Sequence, residues 1–165
     1  MADLEKITVI IKNFDVKALS DLDALYSRMR LEDAQGNTFY FKEVVVPKYL
    51  KNHGAMVADV SRTWYFKRIS KKSIVVLAFE SKNGKVEYDL EDIRLIARST
   101  VLKGIVFSIA SVPAAIIAAT ATFGIGLIIF PMGIWYGYRN IFKLPGMLSR
   151  KRIISDFAQH GIIVR

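Results

Sequence analysis

The chain has 165 residues, a net charge of +9 and 52% hydrophobic residues, but its charges and its apolar residues are segregated. Residues 1–103 carry 18 Lys/Arg and 14 Asp/Glu, the mixture of a small water-soluble domain, residues 104–138 carry no charged side chain, and residues 139–165 carry six Lys/Arg against Asp156 alone. The absence of cysteine excludes disulfides, thiolate catalysis and cysteine-ligated zinc, and residues 1–14 lack the basic-then-apolar pattern of an export leader.

Ile7, Val9 and Ile11 alternate with Thr8, Ile10 and Lys12 and predict a first strand, with 15–24 read as a connection or short helical turn. Over 25–33, Leu25, Met29 and Leu31 take one side while Tyr26, Arg28, Arg30 and Glu32 take the other. Ala34-Gln35-Gly36-Asn37 is a turn, and Thr38 to Val46 returns as a second hairpin strand. Pro47 and Gly54 bracket a short helix at 48–53. A long strand is expected at 56–67, with Trp64 and Phe66 facing inward and Tyr65 and Lys67 on a wet face. Ile74 to Phe79 reads as a buried central strand, and Asn83-Gly84 joins it to a partner at 85–88. Strands, a short helix and further strands in this order resemble a small OB-like barrel over about residues 7–88, a likeness of architecture that carries no motif.

Asp89 is a good N-cap, and no Gly or Pro interrupts 90–103, so a continuous connecting helix is expected to run into the charge-free segment. That 35-residue segment exceeds the roughly 20 residues of one transmembrane helix and suits two short arms, about 104–120 and 123–139. Pro113 and Pro131 are expected to kink the arms near their middles. Ala110, Ala114 and Ala118 recur at a spacing of four, as do Ser111, Ala115 and Ala119, and Gly133 and Gly137 form a matching pair. Such faces let helix backbones approach closely, first between the two arms and then between copies or partners. Trp135, Tyr136, Tyr138 and Arg139 have the composition of an interfacial anchor. Arg94, Arg98 and Lys103 before the segment, and Arg139, Lys143 and Arg150 to Arg152 after it, place both flanks and both termini in the cytoplasm by the positive-inside rule. A re-entrant wedge that enters and leaves one leaflet is the rival topology. Beyond Pro145-Gly146, Ser149 caps an amphipathic helix reaching about Gln159, with Leu148, Ile153, Ile154, Phe157 and Ala158 opposite Arg150, Lys151 and Asp156. It is expected either to lie on headgroups or to pack on the domain. Ile162 to Val164 has strand character and is expected to return to a free sheet edge.

The layout expected is therefore a membrane α+β protein: a β-rich OB-like barrel at 1–88, a connecting helix at 89–103, a two-helix transmembrane hairpin at 104–139 and a basic tail at 140–165. Chemistry is harder to find. His53 and His160 each adjoin a helix-ending glycine and read as helix C-terminal groups. Glu87, Asp89, Glu91 and Asp92 read as strand-end and helix N-terminal charges, and Gly124-x-Gly126 lacks the rest of a phosphate loop. Basic residues interleave with aromatics from Arg62 to Lys72, but Trp64 and Phe66 fall on the inward face. Lys67, Arg68, Lys71 and Lys72 thus read first as a solvated loop, then as headgroup contacts together with Arg150, Lys151 and Arg152, and as nucleic-acid contacts last. The sequence predicts no enzyme, metal or cofactor. The expected function is a membrane-anchored assembly, scaffold or regulatory module of the inner (plasma) membrane, with lipids and a further copy or membrane protein as partners. The alternative is an oligomeric channel lined by Ser108, Ser111, Thr120 and Thr122.

Overall fold

The computed structural model describes residues 3–81 and 83–164. The chain forms two compact units: one combines Met1–Ile96 with Arg150–Arg165, and the other is Ala97–Ser149. The C-terminal helix therefore belongs to the barrel unit and is not part of a separate tail.

The first unit is built on β1 (Glu5–Leu19), β2 (Asp23–Asp33), β3 (Thr38–Pro47), α1 (Lys48–Asn52), β4 (Ser61–Ser70), β5 (Ser73–Glu80) and β6 (Val86–Tyr88). The strands run in the order β3-β2-β1-β4-β5-β6, and a parallel β3–β5 pairing closes the first five into a barrel. Closure removes the open edges that a sheet of this size would expose. β1 makes it geometrically feasible. It pairs with β4 through Glu5–Ile10 and with β2 through Val9–Leu19, and three register irregularities bend it between the two partners. Residues 15–19, expected as a connection, are the second half of this strand and pair with Ala24 to Ser27 of β2, the other arm of the same hairpin.

Local alternation also misled at β2. Tyr26 is buried and Leu25 is not, because Arg28 adopts a left-handed conformation (φ 51°) and inserts an extra residue opposite β1. Such a bulge reverses the inside–outside phase, so Ala24 and Tyr26 on one side of it and Met29 and Leu31 on the other all face the core. The strand expected at 56–67 starts at Ser61 and runs to Ser70, with residues 53–60 looping over the end of the barrel. Trp64, Phe66, Phe41, Val44, Val76 and Phe79 fill the interior. α1 adds Leu50, and its end is set by Gly54 at φ 88°, from which Ala55 N–H donates back to Leu50 O (3.0 Å). The buried Trp64 indole N–H is satisfied by Ala55 O at 3.2 Å.

The long helix α2 (Leu90–Ala121) starts where Asp89 predicts. Asp89 Oδ1 accepts from Glu91 N–H (2.8 Å) and Asp92 N–H (3.1 Å). Asp92 in turn accepts Tyr49 N–H at 2.9 Å, so a carboxylate from α2 covers an otherwise unpaired donor in the first turn of α1. After Thr122–Gly124 the second unit continues as a 3-10 segment (Ile125–Ile128), α3 (Ile129–Tyr138), a π-helical turn (Arg139–Lys143) and α4 (Leu144–Met147). α5 (Arg150–Gln159) then completes the first unit.

Candidate functional site

In the unit Ala97–Ser149, α2 and the segment after it pack through their smallest residues. A Cβ added to Gly126 would collide with the backbone at Ala118 and Ala119, one on Gly133 with Ser111, and one on Gly137 with Ser108. At Gly104 an added Cβ would lie 2.9 Å from Asn140 Cβ and 3.0 Å from Ile141. The seam thus runs along Gly104, Ser108, Ser111, Ala115 and Ala118 on α2. Of the expected packing residues, Ala118, Gly133 and Gly137 lie in it, whereas Ala110 and Ala114 are exposed. The seam alternates steps of four and three, taking Ser111 and Ala115 from the serine-containing row and Ala118 from the all-alanine row.

Every hydroxyl proposed as a channel lining is turned onto its own helix. Ser108 Oγ donates to Gly104 O (2.9 Å), Ser111 Oγ to Ser108 O (2.7 Å), Thr120 Oγ1 to Ile117 O (2.8 Å) and Thr122 Oγ1 to Ala118 O (2.6 Å). Thr122 Oγ1 also accepts Gly126 N–H at 2.9 Å. Asn140, which sequence reasoning passed over, is buried in the π-helical turn and donates its amide to Tyr136 O at 2.8 Å.

The two prolines differ in setting. Pro113 lies inside α2 and withholds the N–H that Ile109 O would accept. Pro131 is the third residue of α3, which follows directly on the 3-10 segment Ile125–Ile128. The two arms are also unequal. Among the described residues α2 alone is long and apolar enough to cross a membrane; its most apolar window has mean hydropathy 2.0 and is only 17% buried. A core helix of a soluble protein would be mostly covered. α3 has ten residues, about 15 Å of rise against about 30 Å of hydrocarbon. The 3-10 segment before it and the π-helical turn and α4 after it prolong this helical course from Ile125 to Met147. Between Gly104 and Tyr138 the outward surface of this unit is mainly apolar, with Ile109, Ile117, Phe123, Ile125, Met132 and Trp135 all largely exposed. Tyr136 meets Phe107 at a tilt (4.6 Å between centroids, 51°), and Tyr138 meets Phe142 likewise (5.4 Å, 37°).

In the barrel unit the outer face of β4 is not wet. Tyr65 and Lys67 are as buried as Trp64 and Phe66, because α5 covers them. Lys67 Nζ lies 2.5 Å from Asp156 Oδ2 on α5, with the lysine side chain wholly buried and the aspartate 14% exposed. The contact is ionic rather than a well-angled hydrogen bond. Tyr65 meets His160 edge-on (6.1 Å), and Phe157 meets Tyr88 (5.5 Å). Lys67 is thus withdrawn from any headgroup or polyanion contact, and Asp156, expected on the polar side of α5, points inward. The one acid in the basic C-terminal stretch was the available signal. Ile162 is buried and its N–H returns to Phe157 O (2.9 Å), so 162–164 closes α5 and adds no strand to the sheet.

The exposed charges of the barrel are largely neutralised across strands. Lys17 pairs with Glu43 (2.7 Å), Arg28 with Asp15 (2.5 Å), Arg68 with Glu5 (2.7 Å) and Lys12 with Glu32 (3.5 Å). Arg68 is therefore engaged, while Lys71, Lys72, Arg150 and Lys151 are exposed and Arg152 half-buried. Glu87 pairs with Lys85 (2.9 Å) and accepts from Tyr49 Oη (3.2 Å). The Lys85 ammonium holds the Glu87 carboxyl below its ordinary range against the opposing effect of burial, and Tyr49 adds to the lowering. Burial first, and Glu87 second, push the Tyr49 phenol up. His53 and His160 donate Nδ1–H to Tyr49 O (2.8 Å) and Asp156 O (3.0 Å), the helix-terminal role expected of them. Among the described residues no three His, Asp or Glu side chains gather as a metal site would require.

No protein-family model, curated protein or solved structure matches this chain.

Proposed function

We propose that the chain is a non-enzymatic integral membrane protein in which an OB-like barrel is held at the cytoplasmic face of the inner (plasma) membrane as an interaction or scaffold module, anchored by residues 104–139. The OB-like reading is supported by the closed five-strand order, the parallel β3–β5 closure and α1 between the third and fourth strands. The membrane reading is supported by a charge-free segment whose helices leave their bulky apolar side chains outward.

The observation that carries the topology is the composition of the barrel unit. The chain leaves it after Ile96 and re-enters it at Arg150. A folded unit lies on one side of a bilayer, so the segment between must cross an even number of times, and one isolated span does not fit. Lys/Arg on both flanks favour the cytoplasmic side. Two crossings form a hairpin. The shortness of α3 itself favours a second reading, a re-entrant wedge with no crossing, whereas its continuation through the π-helical turn and α4 favours the hairpin.

Thr122→Cys separates the two, because the chain has no thiol of its own. A membrane-impermeant maleimide applied to intact cells labels this position if the hairpin crosses. Protection until lysis, with the protein still resisting alkaline extraction, selects the wedge. Extraction of the protein into plain buffer would overturn the membrane assignment itself.

A further inference from the structure

Between α2 and α3 the membrane unit has a groove of about 480 Å³ lined by Leu102, Lys103, Val106, Phe107, Ala110 and Tyr136. Its chemistry is graded along its length. Lys103 is the last charge before the charge-free segment, and the groove extends from it past Val106 to Ala110, about two helical turns into that segment. The tilted, touching Phe107 and Tyr136 rings form one wall, and the small Ala110 leaves the apolar end open. Arg139, the first charge after the segment, follows Tyr136 by three residues. It lies on the same turn as Asn140, which packs at Gly104, next to Lys103. The backbone positions of the two basic residues that bound the apolar segment are thus near one level, and Lys103 is the one that lines the groove.

Resting on the membrane assignment above, we infer that this groove binds one anionic phospholipid, its acyl chain along Val106, Phe107 and Ala110 and its headgroup phosphate at Lys103. A cation at the polar end, an aromatic wall and an apolar trough match the order of phosphate, glycerol and hydrocarbon in such a lipid. A zwitterionic lipid would fill the trough and present the same phosphate, but its own ammonium would offset the attraction to Lys103, and a soluble phosphate would meet the charge but leave the trough empty.

The test uses the full chain in a mild detergent, titrated with palmitoyl-oleoyl phosphatidylglycerol or with phosphatidylcholine of the same chains. Bound lipid is counted by native mass spectrometry. Phosphatidylglycerol is expected to bind about fivefold more tightly, the effect of one basic residue near an anionic group. Lys103→Gln, at an exposed position that leaves the fold intact, is expected to erase this preference, lowering phosphatidylglycerol binding more than phosphatidylcholine binding. Ala110→Trp is expected to lower binding of both lipids by filling the trough, whereas Lys151→Gln is expected to change neither. Equal binding of the two lipids, or an unchanged preference in Lys103→Gln, overturns the site. Alkaline extraction run in parallel distinguishes the failures. A chain that stays in the membrane but binds both lipids alike loses only the groove, and a chain that washes off loses the membrane assignment and the groove together.

Discussion

A lysine ammonium with no access to water needs an anion beside it, and at Lys67 that anion comes from a helix 89 residues further along the chain. Removing one partner of such a pair leaves an uncompensated buried charge, which costs about 3–5 kcal/mol, whereas replacing both by apolar residues is close to neutral. Asp156→Ala is therefore expected to destabilise the barrel unit by about that amount, and Lys67→Met with Asp156→Leu to regain most of it. Urea titration of tryptophan fluorescence reports the difference, since Trp64 lies in the core. A single variant as stable as the parent would mean that the pair carries no such load. Glu87 gives the same unit a pH dependence of definite sign. Its folded carboxyl is held below the unfolded value by Lys85, so the stabilisation is fully present above about pH 4.3, the ordinary glutamate value, and is lost as pH falls through the lower folded value. Glu87→Gln should flatten the acid limb of a Tm–pH curve and leave its slope near neutrality unchanged. Asp33, exposed and holding the 33–37 turn chiefly through Asn37, is shifted in the same direction.

At the scale of the element, the hairpin depends on the absence of side chains. Gly133 faces Ser111 and Gly137 faces Ser108 with no room for a methyl group. Gly133→Ala should destabilise the hairpin by about 1–3 kcal/mol through overpacking, and the second change Ser111→Gly should restore part of it by vacating that space. Ala114→Leu on the outward face should have little effect, and circular dichroism melts in detergent rank the three. If Gly133→Ala and Ala114→Leu behaved alike, the seam would be misplaced. Sequence periodicity located the small-residue rows but not which of their members form the seam, because Ala and Ser are similar in size and only the partner helix distinguishes them. The barrel shows the same division. Runs such as Ile74–Phe79, and markers such as Pro47, Gly54 and Asp89, placed β5, α1 and the start of α2 to within a residue or two, since those signals are local. The Arg28 bulge and the far half of β1 are set by the register of the β1–β2 pairing, which alternation does not announce, and the burial of Tyr65 and Lys67 depends on a helix distant in sequence. A period-two pattern assigns side chains to faces, but it does not say whether a helix will later cover the outer one.

At the scale of the whole molecule, the barrel should not be stable without α5. Residues 1–96 alone would leave Tyr65, Lys67, Val75 and Leu77 without the cover of Ile153, Phe157 and Ile162, all buried in the intact unit. Each of those three apolar side chains contributes about 1.5–3 kcal/mol on burial, and Lys67 would lose its counterion, against a total stability of about 5–15 kcal/mol for a small domain. That fragment is expected to aggregate or to melt without cooperativity. Replacing residues 97–149 by about 12 Gly/Ser residues, whose r.m.s. reach is about 20 Å, restores α5 and removes the apolar surface. The shortened chain is expected to fold in buffer without detergent and to melt in a single transition, with Asp156→Ala lowering its Tm as in the full chain. If residues 1–96 instead melted as well as the shortened chain, α5 would contribute nothing to the barrel. The even-crossing argument would then fail as well, because it requires residues on both sides of the apolar segment to be held in one fold.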